Sequence, residues 1–352
     1  MIPKVTIIIP VYNTEKHLQQ CLTSAISQTL KSIEIIVIND ASTDNSFEII
    51  KEFEKKDSRI QLINFKKNKG NGVGRNTALK QAKGKYVLFL DADDWLEKDA
   101  SKLLYKKASS ENLEIVLFGY TRHLYVSKKS FIILPDYQEN DSNINHYFLT
   151  HTKGFGSMPW IYLYSRNLLI NNNITFTEGV YFEDVNFVAQ AIFNVKKIGV
   201  VKRPLYNYLI HADSITGFLT KQKIDDLFTV HIILKNYLIK KGVFKKYEKE
   251  YLVRFLIFCI EYSFLGYFKM QKNYRDKELD EFMDEMRKSD VMHLNSIAVL
   301  KEVAAEYKDE KRSYKQMMTA YHFLVTIRKY YCSYRFVYKT QYLIYKFFKK
   351  KN

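Results

Sequence analysis

An apolar run, YVLFL at residues 86–90, ends abruptly in Asp91, Ala92, Asp93 and Asp94 before Trp95. Asp91 and Asp93, one residue apart, can hold a hard divalent cation and a sugar hydroxyl between them. At the carboxyl end of a buried parallel strand they would stand where an open α/β sheet forms its binding crevice. Acidic residues also cap helices, so Asp93 or Asp94 can serve as an N-cap. Asp94 is the one expected to be only a cap.

Three upstream segments carry chemistry of a matching kind. In IIIPVYN, residues 7–13, the strand exit Pro10, Val11, Tyr12, Asn13 offers an aromatic face to a flat base. In INDASTDNS, residues 38–46, the Asp40 carboxylate can accept an N–H from that base. KGNGVGR, residues 69–75, ends in a cation, Arg75, for a phosphate or for the acidic cluster. Each has a plain structural reading alone, as a strand exit, a turn residue or a surface charge. Their order along the chain outlines a nucleotide pocket. GNGVG also approaches the dinucleotide fingerprint of dehydrogenases. Arg75 replaces its last glycine, however, the loop follows the third strand, and no second mononucleotide half appears.

The elements that must position these residues can be read from periodicity. Val5–Pro10, Ile33–Asn39, Ile60–Asn64, Tyr86–Asp91 and Glu114–Gly119 read as strands. Glu15–Gln28, Asp44–Lys56, Val73–Lys83 and Lys98–Ser110 read as helices, with Thr43 or Asp44 as an N-cap. The alternation predicts a right-handed parallel sheet. Past residue 120 the pattern is mixed, and from about residue 218 it is mainly helical. The expected organisation is a domain over 1–217, divided into 1–119 and 120–217, followed by a helical basic region over 218–352.

At 352 residues the chain exceeds a usual single core. Hydrophobic content of 47% with 12 Gly and 5 Pro excludes disordered and collagen-like classes. Cys21, Cys259 and Cys332 lack metal-ligand spacing and fit a reducing compartment. The amino-terminal segment fails as a signal peptide. The nearest approach to a membrane span, Tyr251–Phe268, is broken by Arg254 and Glu261. Net charge is +17, and residues 311–352 hold 11 Lys or Arg and no Asp or Glu. On a helix Arg328, Arg335, Lys339 and Lys346 would form one stripe opposite Phe323, Val337, Ile344 and Phe348. That pattern suits an anionic membrane interface, a nucleic-acid surface or the solvated face of a bundle. The first is expected, and no nucleic-acid partner is.

IIIPVYN, INDASTDNS, the glycine loop ending in RN, and YVLFLDADDW together resemble the inverting family-2 glycosyltransferases of bacterial surface-polysaccharide type. The resemblance covers residues 3–217 and implies the GT-A nucleotide-diphospho-sugar transferase fold, an α/β architecture with a mostly parallel sheet flanked by helices. It implies that Pro10, Val11, Tyr12 and Asp40, with Asn13, hold the nucleobase, and that Arg75 supports the pocket. Asp91 would then meet the ribose side beside Ala92, and Asp93 the metal, Mn2+ or Mg2+, on the diphosphate. Two positions depart from the family pattern: Ala41 replaces the usual Gly of DGSTD, and Gly74 stands where many members have Ala.

YFEDVNF, residues 181–187, resembles the family's ED motif, which makes Asp184 the base and leaves Glu183 to hold an acceptor hydroxyl or tune Asp184. Without the upstream motifs both acids would read as first-turn partners of a helix dipole. In YNYLIHADSITG, residues 206–217, His211 can ligate the metal or a phosphate oxygen, and Ser214 can donate to phosphate. MPWIYLYSRNLL, residues 158–169, resembles the acceptor-side element, with Trp160 offering a face to a sugar ring and Tyr162 where relatives often have Lys. The implied activity is single-displacement transfer from a nucleotide sugar, a UDP-sugar, to a glycan or lipid-linked glycan at the cytoplasmic membrane face. A non-catalytic nucleotide-sugar-binding protein and a nucleic-acid-binding protein are the alternatives.

Overall fold

The computed structural model describes residues 2–139, 143–150, 156–211, 220–255 and 258–259. Strands β1 (Val5–Val11) and β2 (Ile33–Asn39) are buried at every position. Unbroken apolar runs of this kind belong to parallel strands covered on both faces. The polar residues of β2 are satisfied, Glu34 by Thr6 Oγ1 at 2.6 Å and Lys83 N at 2.9 Å, and Asn39 by donating to Asn64 Oδ1 at 2.8 Å. Gly84 N donates to the same Thr6 hydroxyl at 2.9 Å. A Cβ on Gly84 would stand 2.5 Å from Thr6 N, so a side chain there would push this turn off the sheet.

Helices α1 (Glu15–Ile26), α2 (Ser46–Lys56) and α3 (Asn71–Gln81) connect β1, β2, β3 (Ile60–Asn64) and β4 (Tyr86–Phe89). Leu18, Cys21, Leu22 and Ala25 form the buried stripe of α1 at helical spacing. The four strands lie in the order β3-β2-β1-β4, all parallel, with Val5 opposite both Ile33 and Tyr86. The chain winds outward from β1 to β3 and then returns to the other side of β1. That reversal opens a crevice beyond the carboxyl ends of β1 and β4.

The second half is mixed, as the pattern past residue 120 predicts. It comprises β5 (Trp95–Leu96), α4 (Ala100–Ser110), β6 (Ile115–Leu124), β7 (Ser130–Ile133), α5 (Ile144–Thr150), β8 (Tyr162–Ser165), α6 (Arg166–Asn171), α7 (Asp184–Asn194) and β9 (Ile198–Ile210). The full order is β3-β2-β1-β4-β8-β6-β9-β5, with β7 on β6. Strand β8 lies antiparallel between β4 and β6, so the sheet is mixed from that point on. Its Tyr162, Leu163 and Tyr164 are fully buried, and this part of the segment expected on the acceptor side runs through the middle of the sheet. The division expected at residues 119 and 120 falls inside β6, where the register with β9 shifts on both sides of Gly119.

The chain divides into two compact units, Met1–Gly217 with Ile232–Leu234, and Phe218–His231 with Lys235–Asn352. The described part of the second is helical, with α8 (Lys221–Lys240), whose first turn is capped by Thr220 Oγ1 accepting from Lys223 N, and α9 (Glu248–Phe255). Among the described residues no helix is long and apolar enough to cross a membrane. The basic segment 311–352 and Ser214 lie outside the described residues.

Candidate active site

The exits of β1 and β2 are bonded to each other. Asn13, at φ 51°, accepts Thr43 N on its side-chain oxygen at 2.8 Å, and its own N–H donates to Ser42 Oγ at 3.1 Å. Asp44 accepts Glu15 N at 3.0 Å and Ser46 N at 3.0 Å, tying together the starts of α1 and α2. Asn45 holds the N-cap position of α2, so Asp44 acts one residue earlier than a cap. Tyr12 stands exposed above this loop pair, while Pro10 and Val11 are buried beneath it.

Asp40 is buried at the end of β2. Its carboxylate oxygens accept Lys69 N at 2.7 Å and Gly70 N at 2.8 Å, fastening the glycine loop to the end of β2. Gly70 has φ 82°, in the region that favours glycine. Helix α3 begins at Asn71, two residues before the expected start, and Gly72 packs against the chain ahead of the ED motif. A Cβ there would lie 2.6 Å from Thr177 O.

This close approach delivers Arg75 to the centre of the site. Its guanidinium is buried and pairs with Asp91 Oδ1 at 2.7 Å and Glu183 Oε1 at 2.5 Å, with the Phe176 ring 5.3 Å away. Burial works against the charged guanidinium, but Asp91, Glu183 and Asp184 outweigh it and hold Arg75 firmly protonated. Burial raises the pKa of Asp91, against the lowering effect of Arg75, and it raises Glu183 in the same way. Helix α7 begins at Asp184, which is partly exposed, and Phe182 before it adopts φ 61°, a strained conformation for a bulky residue. Phe187, one turn on, stacks on Phe176 at 3.9 Å and meets Phe89 edge-on at 5.4 Å, fixing the start of α7 against β4.

The other carboxylates of the tetrad have separate partners. Asp93 Oδ2 lies 2.9 Å from His211 Nε2. Asp94 is buried, accepts the Tyr206 hydroxyl at 2.7 Å and Leu209 N at 2.8 Å, and so ties the loop after β4 to β9. It caps no helix; Asp99 precedes α4. The same Tyr206 oxygen accepts Asp91 N at 3.1 Å.

The sequence and the fold are similar to those of known proteins. The family model for glycosyl transferase family 2 matches residues 6–171. The putative glycosyltransferase EpsH of Bacillus subtilis is 31% identical over 255 residues, covering 70% of this chain and 73% of that protein. The chain belongs to glycosyltransferase family 2. Cholesterol galactosyltransferase of Borreliella burgdorferi is 31% identical over 288 residues, with 78% of each chain covered. In fold, this glycosyltransferase is similar to S. aureus TarS 1-349 in complex with UDP-GlcNAc, at TM-score 0.66 and 21% identity over 91% of each chain. The expected GT-A-like architecture therefore holds, with a mixed sheet.

Within the family-2 frame, two expected acceptor contacts have other partners. Trp160 is 4% exposed, and its ring stacks on Tyr206 at 4.3 Å with the Tyr120 edge at 5.1 Å, so the face expected for a sugar is occupied by the core. Glu183 pairs its carboxylate with Arg75. Two neighbours of the site carried no sequence signal. Tyr206 bridges Asp91 and Asp94 from a strand position that reads as ordinary core, and His17 on α1 sets its ring 4.8 Å from that of His211.

Asp93 and His211 are the side chains placed to hold a divalent cation. Among the described residues no three or more His, Cys, Asp or Glu side chains converge on one point. A carboxylate and an imidazole 2.9 Å apart nevertheless fit an ion that takes its remaining ligands from phosphate oxygens and water, as Mg2+ does at nucleotide sites.

Proposed function

We propose that this chain transfers a sugar from a UDP-sugar to a hydroxyl of a glycan or lipid-linked glycan, by a single displacement that inverts the anomeric centre. The observation that carries the reading is the buried Arg75, which holds Asp91 of the tetrad and Glu183 beside Asp184 on one guanidinium. The donor-side acid and the candidate base are thereby set at one end of the sheet. Asp184 takes the proton from the acceptor hydroxyl as that oxygen bonds to the anomeric carbon. The bond from that carbon to the diphosphate oxygen breaks, and UDP leaves with the electron pair. Glu183 acts through Arg75 as a positioning residue.

Tyr12 stacks on the uracil, and Asp40 supports the base side through the loop it fastens, each oxygen keeping a second lone pair. Asp91 faces the ribose, and Asp93 with His211 holds Mn2+ or Mg2+, which when bound offsets charge on the leaving diphosphate. The name of the Borreliella burgdorferi relative, an enzyme acting on cholesterol, supports a lipid-borne acceptor. With the basic segment 311–352, this reading places the chain on the cytoplasmic face of a membrane, in surface-polysaccharide or lipooligosaccharide synthesis.

The test is UDP release by wild type and Asp184→Asn with candidate acceptors. Loss of a base contributes on the order of 10²–10⁴ in rate, so Asp184→Asn is expected to fall by at least about a hundredfold while still binding donor by thermal shift. Undiminished turnover by Asp184→Asn would remove Asp184 from the role.

A further inference from the structure

The β6–β7 hairpin carries apolar side chains out of the sheet into solvent. Tyr125 is 51% exposed, Val126 89%, Phe131 42%, Ile132 64% and Leu134 43%. The register pairs Arg122 with Phe131 and Thr121 with Ile132, so Phe131 and Ile132 project to opposite faces of the ribbon. A hairpin laid over a core would be apolar on one face only; this one is apolar on both faces and at its tip. The turn is closed, with Leu124 N donating to Lys129 O at 2.8 Å and Lys128 N to Leu124 O at 2.9 Å. It is tied to β9 by Tyr125 N donating to Ile210 O at 3.0 Å.

Charge selects the partner. From Ile115 to Pro135 there is no Asp or Glu, while Arg122, Lys128 and Lys129 are positive. The cations sit at the apolar cluster itself, Lys128 Nζ 4.2 Å from the Tyr125 ring centre and the Arg122 guanidinium 5.3 Å from that of Phe131. Exposed apolar surface of this extent marks an interaction site. Tyrosine and Lys or Arg around aliphatic side chains suit the boundary between lipid headgroups and acyl chains. A second copy of a chain of net charge +17 would instead bring like charge toward Lys128 and Lys129. The hairpin also leads back to the candidate donor site. The Tyr125 ring meets His17 at 6.3 Å, His17 meets His211 at 4.8 Å, and His211 meets Asp93 at 2.9 Å.

We propose that the β6–β7 hairpin inserts its tip into the interface of an anionic bilayer and holds the transfer site at that surface. This anchor is separate from the basic segment 311–352. The proposal deepens the lipid-borne acceptor reading and rests on it for its purpose, but its test involves no turnover, so either can fail alone.

The full chain is floated with phosphatidylglycerol-containing vesicles and with phosphatidylcholine vesicles, beside two variants. One is Tyr125→Ser/Val126→Ser/Phe131→Ser/Ile132→Ser, the other Lys128→Glu/Lys129→Glu. Both are checked for folding by circular dichroism. Each is expected to partition onto anionic vesicles at least about tenfold more weakly than the parent. Val126→Trp, with the parent signal subtracted, is expected to be quenched by brominated acyl chains. Parent-like partitioning of both variants, or an unquenched Val126→Trp on bound protein, overturns the proposal. So does a four-serine variant whose sedimentation mass drops from dimer to monomer, because the patch would then join copies of the chain.

Discussion

Arg75 is one cation set between two acids whose pKa values burial raises and the guanidinium lowers. Removing it leaves Asp91 and Glu183 facing each other without compensation, and breaking a buried pair in this way costs about 3–5 kcal/mol. Arg75→Met is therefore expected to lose that much unfolding free energy in urea, with Glu183→Gln recovering part of it in the double variant. A loss below about 1 kcal/mol would mean that the pairs are spectators. The glycines around Arg75 separate just as sharply. A Cβ on Gly74 would make an ordinary 3.5 Å contact with Ile38 Cγ2, so Gly74→Ala is expected to stabilise by about 0.5–1 kcal/mol through helix propensity. This agrees with alanine being common there in the family pattern. Gly72→Ala drives a Cβ to 2.6 Å from Thr177 O and is expected to destabilise by about 1–3 kcal/mol and to weaken donor binding as α3 shifts. Urea melts of the two alanine variants decide the comparison. Ala41, at φ 59°, stands at the family's usual glycine and occupies the left-handed region that glycine adopts at less cost.

At the scale of elements, β9 is what gives the tetrad its division of labour. Tyr206 and Leu209 on that strand hold Asp94, and burial, then Asp93 and Asp91, push the Asp94 pKa well above its ordinary value. Between the unfolded value, about 4, and the raised folded one, the native state binds more protons than the unfolded chain, so stability falls as pH rises through that window. Asp94→Asn cannot titrate and is expected to flatten the decline that begins above about pH 4 in urea melts. An unchanged slope would assign it to Asp91 and Glu183, whose pKa values are raised too. Nothing local distinguishes Asp94 as a strand tie from Asp94 as a helix cap, because its partners lie over a hundred residues away. The same holds for β8. Its four residues pair with β4 and β6, and YLYS has no period that sets it apart from a loop with aromatic side chains. Trp160 shows the limit from the other side, since an indole that fills a core and one that receives a sugar are the same residue until Tyr206 is seen stacked on it.

Across the whole molecule, the first half was legible because β1, β2 and β4 are continuous apolar runs whose polar exits fall at fixed places, Tyr12, Asp40 and Asp91. The second half was not, because its sheet is made by long-range pairing, antiparallel at β8 and parallel between β6 and β9. Which residues hold Arg75 could be suspected only from the joint presence of DAD and ED, never from either motif alone. The proposed donor site draws on Tyr12, Arg75, Asp93 and His211, which come from four separate stretches of sequence. Ligand binding should therefore stabilise the folded unit that joins them. UDP at about 100 times its dissociation constant adds about 2.7 kcal/mol, which for a domain of roughly 200 residues raises the melting temperature by about 5–11 °C. Manganese is expected to enlarge the shift in wild type. In Asp93→Ala the manganese increment should vanish while a smaller, metal-independent shift from base and ribose contacts persists. A manganese increment equal in both proteins would move the cation away from Asp93, and loss of the entire shift would show that Asp93 holds the nucleotide pocket together rather than the ion alone.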